Sequence, residues 1–520
     1  MKRIISMLGV LCLLFSVFSA SAYASSSYSE AIDMSNWQYS EADDVYWQAG
    51  IQYCSNPADI TYETLVIYVP GAYFDAVANG DGTYTCTVSE TGTVNAYTAS
   101  TAPILFPVNT PGHKAQSAPT GYSKGASTYT QEGFIYVVAG CRGKDAGIPA
   151  GVTDLKAAIR YIRSNLCSLP GCTDRVVAYG HSGGGSQTAV LGASGDSELY
   201  APYLEAIAAA DASDAVNAAM CWCPITSFDS ADEGHEWSMG VTRSNLSDEI
   251  QDISDALAAA YADYVNSMGF VDEEGNLLTL AESDVGIYQS GSYYDYVKHV
   301  IEESLEHYLT DTSFPTTISS GKGKTSVSYD SAQDYIDALN ADGEWVTYDA
   351  ETGKISISSI YDFTTRLKKA SKPVAAFDKL EEGGHELFNT GDGECTHFDT
   401  ILAEIVKGTS YEAEFNNDLS SVDALGNSMD YRLHMFSPLS YLMEENEDYG
   451  TAQVAEYWRI RSGITQSDTP LTTEINLALA LNAYGADVDF ETVWAQGHTQ
   501  AERTGKSDAN FISWLHEIYG

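Results

Sequence analysis

The stretch Arg175-Val176-Val177-Ala178-Tyr179-Gly180-His181-Ser182-Gly183-Gly184 decides how this chain is read. A short apolar run ends in a glycine cluster, and a helix-like stretch begins at about Ser186. Such a run, bounded by glycine, reads as a buried strand. Gly180-His181-Ser182-Gly183-Gly184 fits G-x-S-x-G, in which serine projects from a tight strand-to-helix turn with its hydroxyl presented for attack. The pattern alone is weakly specific, because Gly121-Tyr122-Ser123-Lys124-Gly125 fits it too. That second match follows Gln116-Ser117-Ala118-Pro119-Thr120 and precedes a Ser/Thr-rich segment, so it lacks both strand and helix. Ser182 is the candidate nucleophile, and Ser123 reads as a loop residue.

Outward from the elbow, Leu65–Val69, Pro103–Phe106 and Phe134–Val138 read as strands, and Asp154–Ile162 has helical apolar spacing. Ala218–Ile225 is a further strand candidate. Strands alternating with helices predict a mainly parallel sheet, hence an α/β fold. From about Ser230 to Met435 the helical segments turn polar and Tyr-rich (Ile253–Val265, Tyr293–Tyr308, Ala332–Leu339), broken by Gly-rich turns such as Ser319–Gly323. The α/β pattern then resumes with a strand at Val454–Ile460, a helix at Thr472–Ala483, a strand at Val488–Val493 and a helix at Ala509–Ile518. The expected organisation is a core over 25–229 and 436–520, with an inserted domain over 230–435.

A serine nucleophile needs a base, and the base an orienting acid. On such elbows the chain order is serine, acid, histidine. Of the 10 His, His498 in Trp494-Ala495-Gln496-Gly497-His498-Thr499 follows the last strand directly and is the candidate base. His434 has no preceding strand, and His516 falls in the last helix. Asp468 is the only carboxylate in Ile464–Pro470, the loop after the penultimate strand, and is the candidate acid. The developing oxyanion needs donors. One is the backbone N–H of Gly183; the other comes from Asn109-Thr110-Pro111-Gly112-His113, where Pro111 has no N–H and Thr110 or Gly112, with Gly112 preferred, remains.

The front of the chain reads as an address. Lys2 and Arg3 precede an apolar run over Ile4–Phe18 that ends in Ala22-Tyr23-Ala24, the pattern of a secretory signal peptide over 1–24. The run is short for a span, which needs about 20 apolar residues. An exported chain permits disulfides. Cys167 and Cys172 flank a turn and Cys54 and Cys86 lie in strand-like stretches, so either pair is a candidate. Cys221-Trp222-Cys223 has no nearby His or second Cys pair and reads as core, so no metal and no cofactor is expected.

Charge bounds the partners. With 26 Lys+Arg against 72 Asp+Glu the net charge is -46; losing the two bases and no acids of residues 1–24 takes it to -48. That argues against nucleic acid and against anionic membranes. A hydrophobic fraction of 44% is ample for a core.

Asp154–Asn165, Gly180–Gly185, Cys223-Pro224-Ile225-Thr226, Glu236-Trp237, Ala375-Ala376-Phe377-Asp378, His397-Phe398-Asp399 and Trp458–Gly463 together resemble bacterial tannases (subtype B) and feruloyl-esterase-like enzymes. The resemblance implies an α/β-hydrolase fold with a large lid inserted after the sixth core strand. It also implies hydrolysis of phenolic-acid esters such as gallates. In that family the acid loop reads D-x-D, the first acid completing the triad and the second contacting galloyl hydroxyls. Here it reads Gln466-Ser467-Asp468, so the first acid is missing. The family's lid lysine corresponds to Lys372 and its partner glutamate to Glu386, which implies that both bind substrate. The expectation is a secreted serine esterase working through an acyl-enzyme on a small ester, with aromatic side chains of the lid stacking on an aromatic acyl group; its oligomeric state is unspecified. The alternatives are a serine peptidase on the same fold and a binding protein with a decayed site.

Overall fold

The computed structural model describes residues 30–320, 325–380, 386–389 and 396–520. The segment read as an export signal lies outside the described residues. Nine strands form one sheet: β1 Gln38–Ser40, β2 Val45–Gln52, β3 Thr64–Pro70, β4 Ile104–Val108, β5 Ile135–Ala139, β6 Val176–His181, β7 Ala218–Trp222, β8 Tyr457–Gly463 and β9 Asp487–Val493. Their order is β1-β2-β3-β5-β4-β6-β7-β8-β9. The first four neighbours pair antiparallel, and from β5 through β9 all are parallel. Helices α1 Ile148–Ser164, α2 Gly183–Ala193, α6 Leu471–Tyr484 and α7 Ser507–Tyr519 belong to this part of the chain. The fold is an α/β-hydrolase.

β6 from Val176 to Gly180 and the whole of β7 are buried because helices cover both faces, which is why they read as continuous apolar runs. β8 departs from that pattern: it carries Arg459 and Arg461 and starts later than the expected Val454. Both arginines are paired. Arg459 makes a bidentate contact with Glu502 (Nη1–Oε1 and Nη2–Oε2, each 2.7 Å), and Arg461 bonds Asp489 O at 2.7 Å. Val454 and Ala455 instead turn toward α2, Ala455 N donating to Gly192 O at 2.7 Å.

Between Trp222 and Tyr457 the chain leaves the sheet. This stretch holds α3 Ala231–Met239, α4 Asp248–Met268, α5 Ser292–Asp311 and two short hairpins. Four of its tyrosines, Tyr261, Tyr293, Tyr335 and Tyr441, are buried. Tyr261 and Tyr293 are buried, share a hydroxyl contact of 2.8 Å and pack against Trp237. Both rings are therefore closed to a stacked ligand. The motifs carrying the family resemblance brace this region. Asp232 accepts from Phe377 N (2.8 Å) and Asp378 N (2.9 Å), and Asp378 in turn holds His397 Nδ1 (2.7 Å) and the amides of Phe398 and Asp399 (2.8 Å each).

All seven described cysteines are free, which corrects both disulfide candidates. Cys54 lies beyond β2, its Sγ 3.7 Å from Glu63 Oε1, whereas Cys86 belongs to a separate hairpin, Phe74–Ala78 with Tyr84–Val88. Cys172 is held by its amide to Ala102 O (3.0 Å), while Cys167 is exposed beside Ser168.

Candidate active site

Ser182 sits between the end of β6 and the first residue of α2, at φ 59° and ψ -125°. This is a left-handed backbone on a non-glycine residue, as a nucleophile elbow requires. The turn is tight enough to dictate its neighbours. A Cβ on Gly180 would stand 2.5 Å from Gly184 C, and one on Gly183 would stand 2.5 Å from both Thr110 O and His113 N. Glycine at 183 therefore lets the 110–113 turn close on the elbow. Gly112 in that turn is left-handed (φ 58°, ψ 30°) and has open space where a Cβ would point. Both expected oxyanion positions thus lie beside Ser182, at the positive N-terminal end of α2. Ser123, the other G-x-S-x-G serine, precedes a one-turn 3-10 helix with extended backbone (φ -115°) and follows no strand.

His498 Nε2 lies 2.7 Å from Ser182 Oγ. The loop carrying His498 is fixed at several points. Glu502, four residues on, receives Trp222 Nε1 (3.0 Å) from β7, Asn510 Nδ2 (3.0 Å) from α7 and the Arg459 pair from β8. Gln496 O accepts from Thr465 N (3.0 Å) and Thr465 Oγ1 (2.8 Å), tying this loop to the acid loop. Burial holds the His498 imidazole below its usual pKa; Asp468 opposes this, and Lys372 and Lys368 reinforce it. The ring is neutral and able to accept a proton at neutral pH.

Asp468 Oδ2 stands 3.8 Å from His498 Nδ1, and the Asp468 side chain is 47% exposed. That is ion-pair range and too long for a hydrogen bond; Nδ1 has no hydrogen-bond partner. Gln466, where the family has its first acid, is buried and turned inward. Its Oε1 accepts from Asp468 N (2.9 Å) and Thr469 N (3.0 Å), and its Nε2 donates to Thr469 Oγ1 and, at 3.1 Å, to Glu474 Oε1. Glu474 also takes Ser462 Oγ and Thr469 Oγ1 (2.9 Å each). Beneath the loop, Lys368 is buried and bonds Gln466 O. Burial pushes its ammonium down to about 8, with Glu474 opposing. This buried support was invisible in sequence, because its members come from 98 and 8 residues away from Gln466.

Lys372 reaches the site: its Nζ donates to Asp468 O at 2.8 Å and lies 4.4 Å from the Phe377 ring centre. Glu386 opens a one-turn helix, Glu386–Phe388, and its side chain lies outside the described residues. An aromatic cluster borders the 110–113 turn. Phe228 packs against His113, Phe377, Phe388, Phe398 and Phe436, with ring centres 5.8–6.0 Å apart. Cys221 is core as expected. Cys223 is equally buried, and its Sγ meets Thr499 O at 3.2 Å, beside His498.

The family model BD-FAE matches residues 108–283. Among solved structures, tannin acyl hydrolase from Lactobacillus plantarum is 25% identical with TM-score 0.70, over 92% of this chain and 94% of that one. A tannin acyl hydrolase in complex with ethyl gallate is 25% identical with TM-score 0.68, over 92% and 94%. The tannase of Fusobacterium nucleatum is 24% identical with TM-score 0.72, over 95% and 100%. No curated protein matches the chain significantly.

Proposed function

From the premise that the chain is a tannase-like α/β-hydrolase and a carboxylic ester hydrolase, we propose a serine mechanism acting on esters of phenolic acids. Ser182 Oγ attacks the ester carbonyl while His498 Nε2 takes its proton. The tetrahedral oxyanion is held by the N–H groups of Gly183 and Gly112. His498 returns the proton to the leaving alcohol, and the acyl group stays on Ser182. Water, deprotonated by His498, then releases the acid. Asp468 steadies the imidazolium across its 3.8 Å gap. The single observation that carries this reading is the 2.7 Å contact between Ser182 and His498 on a strained elbow.

The acyl group of the proposed substrate is aromatic. Its support is similarity to enzymes solved with ethyl gallate and 3,4-dihydroxybenzoate. Lys372 and Glu386 are the proposed contacts for ring hydroxyls, and the segment 230–435 is the proposed lid. Residues 1–24 are proposed to export the chain; among the described residues, no helix is long and apolar enough to cross a membrane. A rate panel of methyl gallate, methyl ferulate and short p-nitrophenyl esters tests the reading. Turnover of the phenolic esters that vanishes in Ser182→Ala supports it; turnover of p-nitrophenyl acetate alone removes the phenolic assignment.

A further inference from the structure

Ester hydrolysis leaves two side chains beside the elbow, His181 and Cys223, unused. His181 precedes Ser182, and its ring centre is 4.8 Å from that of His498. Cys223, buried just past β7 at φ 45°, faces the same space. One donor atom from each of His181, Cys223 and His498 lies within 4.8 Å of the others. Two nitrogens of this cluster, His181 Nε2 and His498 Nδ1, are buried without a hydrogen-bond partner. Buried polar atoms left unpaired are disfavoured, and a neutral imidazole with a free lone pair is a common metal ligand.

We propose that His181, Cys223 and His498 form a site for a soft divalent cation such as Zn²⁺ or Cd²⁺, whose occupancy halts ester hydrolysis by drawing His498 out of its role toward Ser182. The inhibitory half rests on the reading of His498 as base; the binding half does not. Two imidazoles and one thiolate are of the nitrogen and sulfur ligand types that zinc takes, and three protein ligands leave a fourth position open. Metal–nitrogen bonds of about 2.0–2.1 Å and metal–sulfur bonds of about 2.3 Å put tetrahedral donors about 3.3–3.6 Å apart. Binding requires the present spacing, within 4.8 Å, to close to that value. Burial pushes the Cys223 thiol up to about 11 and the His181 imidazole down to about 4. Both rings therefore offer lone pairs at neutral pH, and the thiol must give up its proton. Binding forms one metal–sulfur and two metal–nitrogen bonds, releases the thiol proton to solvent and changes no oxidation state. Hard oxygen-seeking ions such as Mg²⁺ and Ca²⁺ do not suit these donors.

The test titrates cadmium chloride into the full chain. It follows the ultraviolet thiolate-to-cadmium band and, in parallel, p-nitrophenyl acetate hydrolysis. The band saturates at a single equivalent, activity falls over the same range, and a chelator restores it. Cys223→Ser hydrolyses the ester in the absence of metal, shows no band and needs about tenfold or more cadmium for half-inhibition, within the range that altered metal surroundings produce. His181→Gln keeps the thiol and weakens inhibition similarly, which covers the case of a poorly folding Cys223→Ser. No band, or a band that persists in Cys223→Ser because another thiol such as exposed Cys167 supplies it, overturns the site. A band that depends on Cys223 but leaves hydrolysis undiminished keeps the site and overturns the assignment of His498 as base.

Discussion

Replacing Asp468 by asparagine removes one negative charge beside His498 and keeps the side chain's size. The structure sets the expected loss. At 3.8 Å two unit charges attract by about 1 kcal/mol in bulk water and about 4 kcal/mol at the effective dielectric near a protein surface. With the side chain half in solvent, the imidazolium formed in the transition state loses an amount between these limits. At about 1.4 kcal/mol per factor of ten, the drop in kcat is about fivefold to about a thousandfold. This is less than the roughly 10⁴-fold cost of losing a triad acid that is hydrogen-bonded to its imidazole, because no hydrogen bond here fixes the tautomer. Steady-state kinetics on p-nitrophenyl acetate read the loss directly. A drop smaller than about fivefold removes Asp468 from the mechanism. A drop near 10⁴-fold contradicts the reasoning from the gap, because it requires a working site in which the carboxylate has closed onto Nδ1.

Three further outcomes are expected. The acid limb of kcat/KM falls below the usual histidine value of about 6.5, because burial lowers the His498 pKa and the base form is lost only as pH drops through that lowered value; Lys372→Met moves the limb upward by removing a nearby positive charge, and a limb at or above 6.5 in the wild type refutes the burial argument. Gly183→Ala, whose Cβ meets Thr110 O and His113 N at 2.5 Å, pushes the oxyanion turn away and lowers kcat by about 10²–10³ with KM nearly unchanged, the cost of a lost oxyanion donor. Glu502→Gln breaks the buried pair with Arg459 and costs about 3 kcal/mol in urea unfolding; a cost below about 1 kcal/mol means that the loop of His498 is held by something else.

What could be read from sequence follows from how each feature is encoded. β6 and β7 are buried on both faces, so their apolar runs announced them, and the elbow was marked by glycines that its close packing demands. β8 was misplaced by three residues at each end because Arg459 and Arg461 interrupt its apolar run; their partners Glu502 and Asp489 lie far along the chain. The 464–470 loop was singled out by its single carboxylate, but the gap to His498 and the inward turn of Gln466 depend on Glu474 and Lys368, which only folding brings together. Cys223 illustrates the same limit. Its spacing to Cys221 points to a core strand, and the positive φ that turns it toward His498 leaves no mark in composition.

The central claim is that Ser182 carries the acyl group. Intact-mass and peptide mass spectrometry after brief exposure to a fluorophosphonate, or to p-nitrophenyl acetate quenched in acid, tests it most directly. The account predicts a single adduct on the peptide containing Ser182, absent in Ser182→Ala and slowed in His498→Ala. An adduct that persists in Ser182→Ala, or active wild-type protein that takes up no label, contradicts it.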